Sequence, residues 1–182
     1  MTDNNGNTAT CNATVTVEDN VDPTAICQDI TVQLDASGNA SITAGQIDNG
    51  SNDACGIQSL ALDVTSFDCS NVGANPVVLT VTDNNGNTAT CNATVTVEDN
   101  VDPTAICQDI TVQLDASGKA SNTACQIDNS SIDACCIQSL DLDVTSFDFS
   151  IVGVNPVVLT LSENNVNTDT GNASVTVEDN DE

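Results

Sequence analysis

The chain has 182 residues, of which 27 are acidic and one is basic, giving a formal charge of −26. Such a surface repels nucleic acid and anionic membranes, which need cations, and it attracts divalent cations. With three Phe, one Met, no Trp, no Tyr and no His, the core must be built from Val, Ile, Leu and Ala. Little is left from which to build an acid–base site.

Residues 2–20 repeat residues 82–100 without change, and residues 161–180 carry a worn copy, LSENNVNTDTGNASVTVEDN. The period is 80 residues, which fits one small domain per repeat. Three segments are therefore expected: residues 1–20, the last strand of a preceding repeat, then repeat one at 21–100 and repeat two at 101–182. The chain opens in mid-repeat, so it reads as a fragment, or as a subunit without its export sequence. No apolar run approaches membrane-spanning length, so membrane insertion is not expected.

Within repeat one, residues 29–35 (DITVQLD) alternate with Ile30, Val32 and Leu34 inward. A turn at 36–38 leads to a second strand expected over 39–47. Residues 48–56 form an irregular loop around Cys55. Residues 57–67 alternate again with Leu60, Leu62 and Val64 inward, as one long strand or two short ones. A loop at 68–75 holds Cys69. Then come a strand at 76–82 (PVVLTVT), a turn at 83–87 (DNNGN) and a strand at 88–98. In that last strand Ala89, Cys91, Ala93, Val95 and Val97 alternate strictly with polar residues, the period of a half-buried strand. In the turn before it, Asn85-Gly86 favours the positive φ of a tight hairpin. No helical period occurs. The fold class expected is all-β: tandem immunoglobulin/fibronectin-III-like β-sandwich repeats of about 80 residues, with a small Greek-key barrel as the alternative. In repeat two, Ile42 becomes Asn122, Ala89 becomes Asp169 and Cys91 becomes Gly171, changes that do not fit an inward facing.

The run DNNGNTATCNATVTVED at 83–99, followed by DPTAIC at 102–107, and the same pair at 3–19 and 22–27, resemble the hyalin-repeat (HYR) family. They are most similar to the HYR-like tandem repeats of large secreted proteins from Bacteroidota-type bacteria. The resemblance covers nearly the whole chain and departs from the pattern at Val166, Asp169 and Gly171. It implies an immunoglobulin-like sandwich, an extracellular or cell-surface position, and a role in adhesion or spacing without catalysis.

Nine cysteines in β-repeats point to an oxidising compartment. Cys55 with Cys69 is expected to staple two loops. For the others, either Cys27 pairs with Cys91 inside one sandwich, or Cys11 pairs with Cys27 and Cys91 with Cys107 across the joints. In repeat two, Phe149 replaces the Cys69 counterpart, and Cys125 is a candidate partner for Cys135 or Cys136. The odd total leaves at least one thiol unpaired within the chain.

Glu18, Asp19, Asn20 and Asp22, and again Glu98, Asp99, Asn100 and Asp102, gather hard oxygen donors at the joints, and calcium is the cation they suit. The run is similar to the acidic linkers of cadherins. Asp83, Asn85 and Asn87 have the alternate spacing of a calcium loop, although Asn and Asp favour turns in any case. Six N-x-S/T triplets begin at Asn12, Asn39, Asn49, Asn92, Asn129 and Asn172, with none favoured for glycosylation.

Residues 8–18 are a strand without its sandwich. The apolar row Ala9, Cys11, Ala13, Val15 and Val17 needs a partner, so this is a candidate donor strand for the next copy, with the worn strand at 168–178 displaced or supplemented. The expected function is structural: a fibre subunit or adhesin stalk whose partners are other copies of itself, head to tail. The alternative is a calcium-dependent adhesive module that binds glycan or protein through its loops. The absence of Trp and Tyr argues against a sugar site.

Overall fold

The computed structural model describes residues 1–165 and 167–179; Val166 and residues 180–182 lie outside it. Repeat one contains β1 (Ile30–Gln33), β2 (Asn39–Ser41), a one-turn helix α1 (Ala44–Ile47), β3 (Ile57–Leu62), β4 (Ser66–Asp68), a 3-10 turn (Cys69–Asn71), β5 (Gly73–Asp83) and β6 (Thr88–Glu98). Repeat two follows the same order: β7 (Ile110–Gln113), β8 (Lys119–Ser121), α2 (Ala124–Ile127), β9 (Ile137–Leu142), β10 (Ser146–Asp148), a 3-10 turn (Phe149–Ile151), β11 (Gly153–Glu163) and β12 (Thr168–Glu178).

Each repeat is a sandwich of a four-stranded and a two-stranded sheet. In repeat one the orders are β1-β6-β5-β3 and β2-β4; in repeat two they are β7-β12-β11-β9 and β10-β8. The long hairpin β5–β6 is the backbone of the unit, in antiparallel register from Gly73↔Val97 to Thr82↔Thr88. β1 adds to β6 in parallel, from Ile30↔Val95 to Gln33↔Glu98. Alternation along β5 and β6 sends Val77, Leu79, Val81, Val95 and Val97 into the core, where each is at most 1% exposed. Phe67 from β4 and Ile47 from α1 close the other side.

The structure corrects several local expectations. The strand expected over 39–47 stops at Ser41, and α1 follows. Its signature is a capping box: the Thr43 backbone N–H donates to Gln46 Oε1 at 2.7 Å. Residues 57–67 take the second of the two expected forms, two short strands, but Val64 between them is 37% exposed rather than inward. No strand forms over 8–18. Within 1–20 the pairing is a single Thr2↔Thr8 bridge, and Val15 and Val17 are 84% and 90% exposed. A strand needs a neighbour for its N–H and C=O groups, and beyond the Thr2↔Thr8 bridge residues 8–18 have none among the described residues.

Two of the three substitutions that did not fit an inward facing find partners. Asn122 is buried, and its amide, in the orientation that satisfies it, donates to Val144 O at 3.1 Å and Thr145 O at 3.3 Å. Asp169 accepts from Ala105 N at 2.8 Å.

Two disulfides form among the described residues. Cys27–Cys91 ties the segment leading into β1 to β6, inside repeat one. Cys69–Cys135 joins the 3-10 turn of repeat one to the loop before β9 in repeat two. The expected Cys55–Cys69 staple is therefore absent: Cys69 lies against the next repeat, beside Ala134, and takes its partner there. Cys11, Cys55, Cys107, Cys125 and Cys136 are free, so neither the Cys11–Cys27 nor the Cys91–Cys107 joint link is made, nor a Cys125 link.

Candidate metal centre

β5 and β11 each carry an acid at the last position of their core-facing row. The row Val77, Leu79, Val81 ends in Asp83, and the row Val157, Leu159, Leu161 ends in Glu163; both acids are at most 2% exposed. Burying a carboxylate is costly unless donors or a cation compensate it.

Asp83 is compensated by its own turn. Oδ1 accepts from Asn85 N and Asn87 N at 2.8 Å each, and Oδ2 accepts from Asn87 Nδ2 at 2.8 Å. Burial opposes its ionisation, but these donors outweigh burial and hold its carboxyl below the usual range.

Glu163 sits at the same place with one more methylene, which carries its carboxylate past the turn amides. Neither of its oxygens accepts a hydrogen bond among the described residues. Burial first, and then the charges of Asp133 and Asp99, push its carboxyl up to about 7.

Around these two positions the fold assembles two equivalent clusters, Asp19–Asp53–Asp83 and Asp99–Asp133–Glu163, whose carboxylate oxygens lie within 4.8 Å of one another. Each draws on three separate stretches: the joint, the loop before β3 or β9, and the hairpin end. In the second cluster Asp99 is 5% exposed; it accepts from Val101 N at 3.1 Å and from Asn165 Nδ2 at 3.3 Å. Asp133 accepts from Cys135 N. In the first cluster Asp19 Oδ2 is a buried atom without a partner among the described residues. The free Cys55 thiol stands beside that cluster. Asp19 first, and then Asp53 and Asp83, push that thiol up.

Of the residues expected to bind calcium, the joints contribute Asp19 and Asp99, and the turn contributes Asp83. Glu98 and Asn100 are instead held by Gln33, at 2.6 and 2.5 Å. Glu18, Asn20, Asp22 and Asp102 are exposed and outside both clusters, although Asp102 lines a cleft between the repeats with Asp133 and Val101. Asn85 is exposed. Asn87 turns its amide to the joint, donating to Asp19 O and Val21 O at 3.2 Å each. Asn167 does the same for Asp99 O at 3.1 Å and Val101 O at 3.4 Å. Asp53, Asp133 and Glu163 were not among the residues expected from sequence. The clue for Glu163 was its place on the apolar row of β11.

No family model matches the chain, and no curated protein matches it. Solved structures do. Human protocadherin-24 EC1-2 is 10% identical over 88% of this chain and 100% of that chain, with a TM-score of 0.44. Human mucin-like protocadherin EC1-2 is 14% identical over 84% and 96%, with a TM-score of 0.42. Protocadherin gamma B7 extracellular cadherin domains 1-4 is 11% identical over 87% of this chain, with a TM-score of 0.39, and the chain spans 51% of its length.

The donor set of the second cluster fits a hard divalent cation. It offers three carboxylates, and the oxygens of Glu163 have no donor among the described residues. Calcium takes six to eight oxygen ligands in flexible geometry. Asp99, Asp133 and Glu163 would hold it, and the ion would supply the positive charge that this buried group of acids lacks.

Proposed function

We propose that this chain is a length of a non-catalytic extracellular spacer, the stalk of a fibre or adhesin, whose successive sandwiches are locked by calcium at the joint. The observation that carries the reading is Glu163, buried between Asp99 and Asp133 with two oxygens that have no hydrogen-bond partner among the described residues. Asp99 continues directly from β6 of repeat one, whereas Asp133 and Glu163 belong to repeat two, so a shared ion pins one sandwich to the next. The disulfides support an oxidising compartment. The HYR-like resemblance carries the same implication.

Calorimetric titration with calcium tests this, on the full chain and on Glu163→Gln. One site should disappear in the variant. Its dissociation constant in the parent chain should fall near the range of extracellular calcium modules, about 0.1–1 mM. Identical heats in the two proteins would remove the cation from this joint.

Assembly with other copies, head to tail, belongs to the same proposal. Residues 8–18 have the sequence of β6 and expose Val15 and Val17. Donated to a neighbouring sandwich, they would make the contacts that β6 makes with β5. β12 is itself paired along its length with β11 and over Val175–Glu178 with β7, so donation must displace it or add at another edge. Light scattering on a chain lacking residues 1–20 decides: assembly equal to that of the full chain rules donation out.

A further inference from the structure

The Cys69–Cys135 disulfide and the Asp99–Asp133–Glu163 cluster close the same hinge. Each takes one part from repeat one, Cys69 or Asp99, and the rest from repeat two. They also share a loop: Asp133 is two residues from Cys135 and accepts its backbone N–H. The loop is fastened to the segment leading into repeat two by the bridges Thr104↔Ile132 and Cys107↔Asp128. The β1–β2 turn of repeat one closes against the bridge. A Cβ at Gly38, whose φ is +73°, would stand 2.6 Å from Cys69 Sγ and 3.4 Å from Ala134 Cβ.

We infer that the disulfide and the cation centre are one reciprocally coupled lock: a divalent cation held by Asp99, Asp133 and Glu163 protects Cys69–Cys135 from thiol reductants, and reduction of Cys69–Cys135 loosens the cation. The inference rests on the cation reading above. The physical reason is loop closure. Once either pin fixes the two sandwiches, the second forms without again losing the freedom of the hinge. Linkage makes the factor the same in both directions.

The redox step is thiol–disulfide exchange. A thiolate of a glutathione-type reductant attacks one bridge sulfur, and the other leaves as a thiolate and takes a proton. A second reductant thiol resolves the mixed disulfide. Two electrons pass to the bridge, and the reductant ends as its own disulfide. The first cluster is the internal control, because Cys55, the counterpart of Cys135, is unbridged.

Two measurements test the coupling. Calcium affinity by calorimetry is compared between the oxidised full chain and the Cys69→Ser, Cys135→Ser double variant. The expected loss is about tenfold, within the ordinary range of coupling between sites. Without any variant, the full chain is equilibrated in glutathione redox buffers, with and without saturating calcium. Cys69 and Cys135 are trapped and read by mass spectrometry, peptide by peptide, because the free Cys136 is adjacent. Calcium should shift the midpoint by the same tenfold factor, about 30 mV for a two-electron couple, and Glu163→Gln should abolish the shift. Equal affinities in the first experiment, or a midpoint indifferent to calcium in the second, overturn the coupling while leaving the cation site in place. Absence of calcium binding to the oxidised full chain overturns the site itself, and the coupling with it.

Discussion

Gly171 stands where repeat one has Cys91, and its neighbour across the sheet is the free thiol of Cys107, the counterpart of Cys27. A Cβ at Gly171 would lie 3.6 Å from Cys107 Cβ and 2.3 Å from Cys107 Sγ. The first distance is that of a disulfide, and the second requires only that the sulfur rotate to accept the bond. Gly171→Cys should therefore form a bridge across the same 64-residue separation as Cys27–Cys91. Loop entropy sets the gain at about 4 kcal/mol. Ala105 Cβ, 3.1 Å from the new Cβ, makes a tight contact that takes back part of it. A net gain of about 2–4 kcal/mol remains, which raises the melting temperature of repeat two by roughly 10–25 °C. Burial, and then Asp128 and Asp169, push the Cys107 thiol up, so oxidation should be run with glutathione disulfide above neutral pH. With no Trp and no Tyr in the chain, circular dichroism is the probe, and Gly171→Ser, which adds bulk without a bond, is the reference. If mass spectrometry finds the new cysteine unpaired with Cys107, or if the bridged variant melts with the serine reference, the facing of β12 against the 105–107 segment is wrong.

Calcium at a hundred times its dissociation constant should stabilise the chain by about 2.7 kcal/mol, with Glu163→Gln losing the effect in a thermal melt with calcium or EGTA. Glu163 also makes stability depend on pH. Its folded pKa, about 7, lies above the ordinary 4.5, so the folded state binds that proton more tightly. The stabilisation is complete below about 4.5 and is lost as pH rises towards 7. Metal-free parent chain should therefore lose up to about 3 kcal/mol relative to Glu163→Gln across that window, and parallel curves would refute the raised pKa. Glu163→Asp should rebuild the turn seen at Asp83 and bring the carboxyl back below the usual range, read by NMR titration of the side chain. Phe67→Ala, at a site 3% exposed, should cost about 3–5 kcal/mol in a denaturant titration.

Much of the sheet was legible because its alternation is undisturbed. β6 begins at Thr88 and ends at Glu98, where the period of two begins and ends. The helix α1 escaped because four residues show no period, and its only mark was Thr43 three places before Gln46. The acidic clusters were half legible. Asp19, Asp83 and Asp99 announced themselves by composition, but joint and turn were read as separate sites. Only the folded hairpin, docked on the joint through Asn87 and Asn167, shows that they are one. Asp53 and Asp133 sit in a loop whose acids look like ordinary turn residues. The inter-repeat bridge was hidden because Cys55 and Cys69 are close in sequence and look like natural partners. Their separation in space follows from the docking of one sandwich on the next, which local patterns do not encode.

The parallel pairing of β1 with β6 decides what tension would do to this chain. Without a bridge, a pull applied through the two ends of such a repeat would slide its first strand against its last and load their hydrogen bonds together instead of opening them one at a time. In repeat one the Cys27–Cys91 bridge, placed ahead of β1, carries the load covalently to β6 and removes the residues between them from the line of force. Repeat two has the same strand arrangement without the bridge, because Gly171 cannot make it. The Cys69–Cys135 bridge passes load from repeat one to the loop before β9, so the slack that repeat two releases lies after Cys135, on the order of 150 Å of new contour at about 3.4 Å per residue. A string of such repeats would combine links that hold their length with links that yield and absorb a shock.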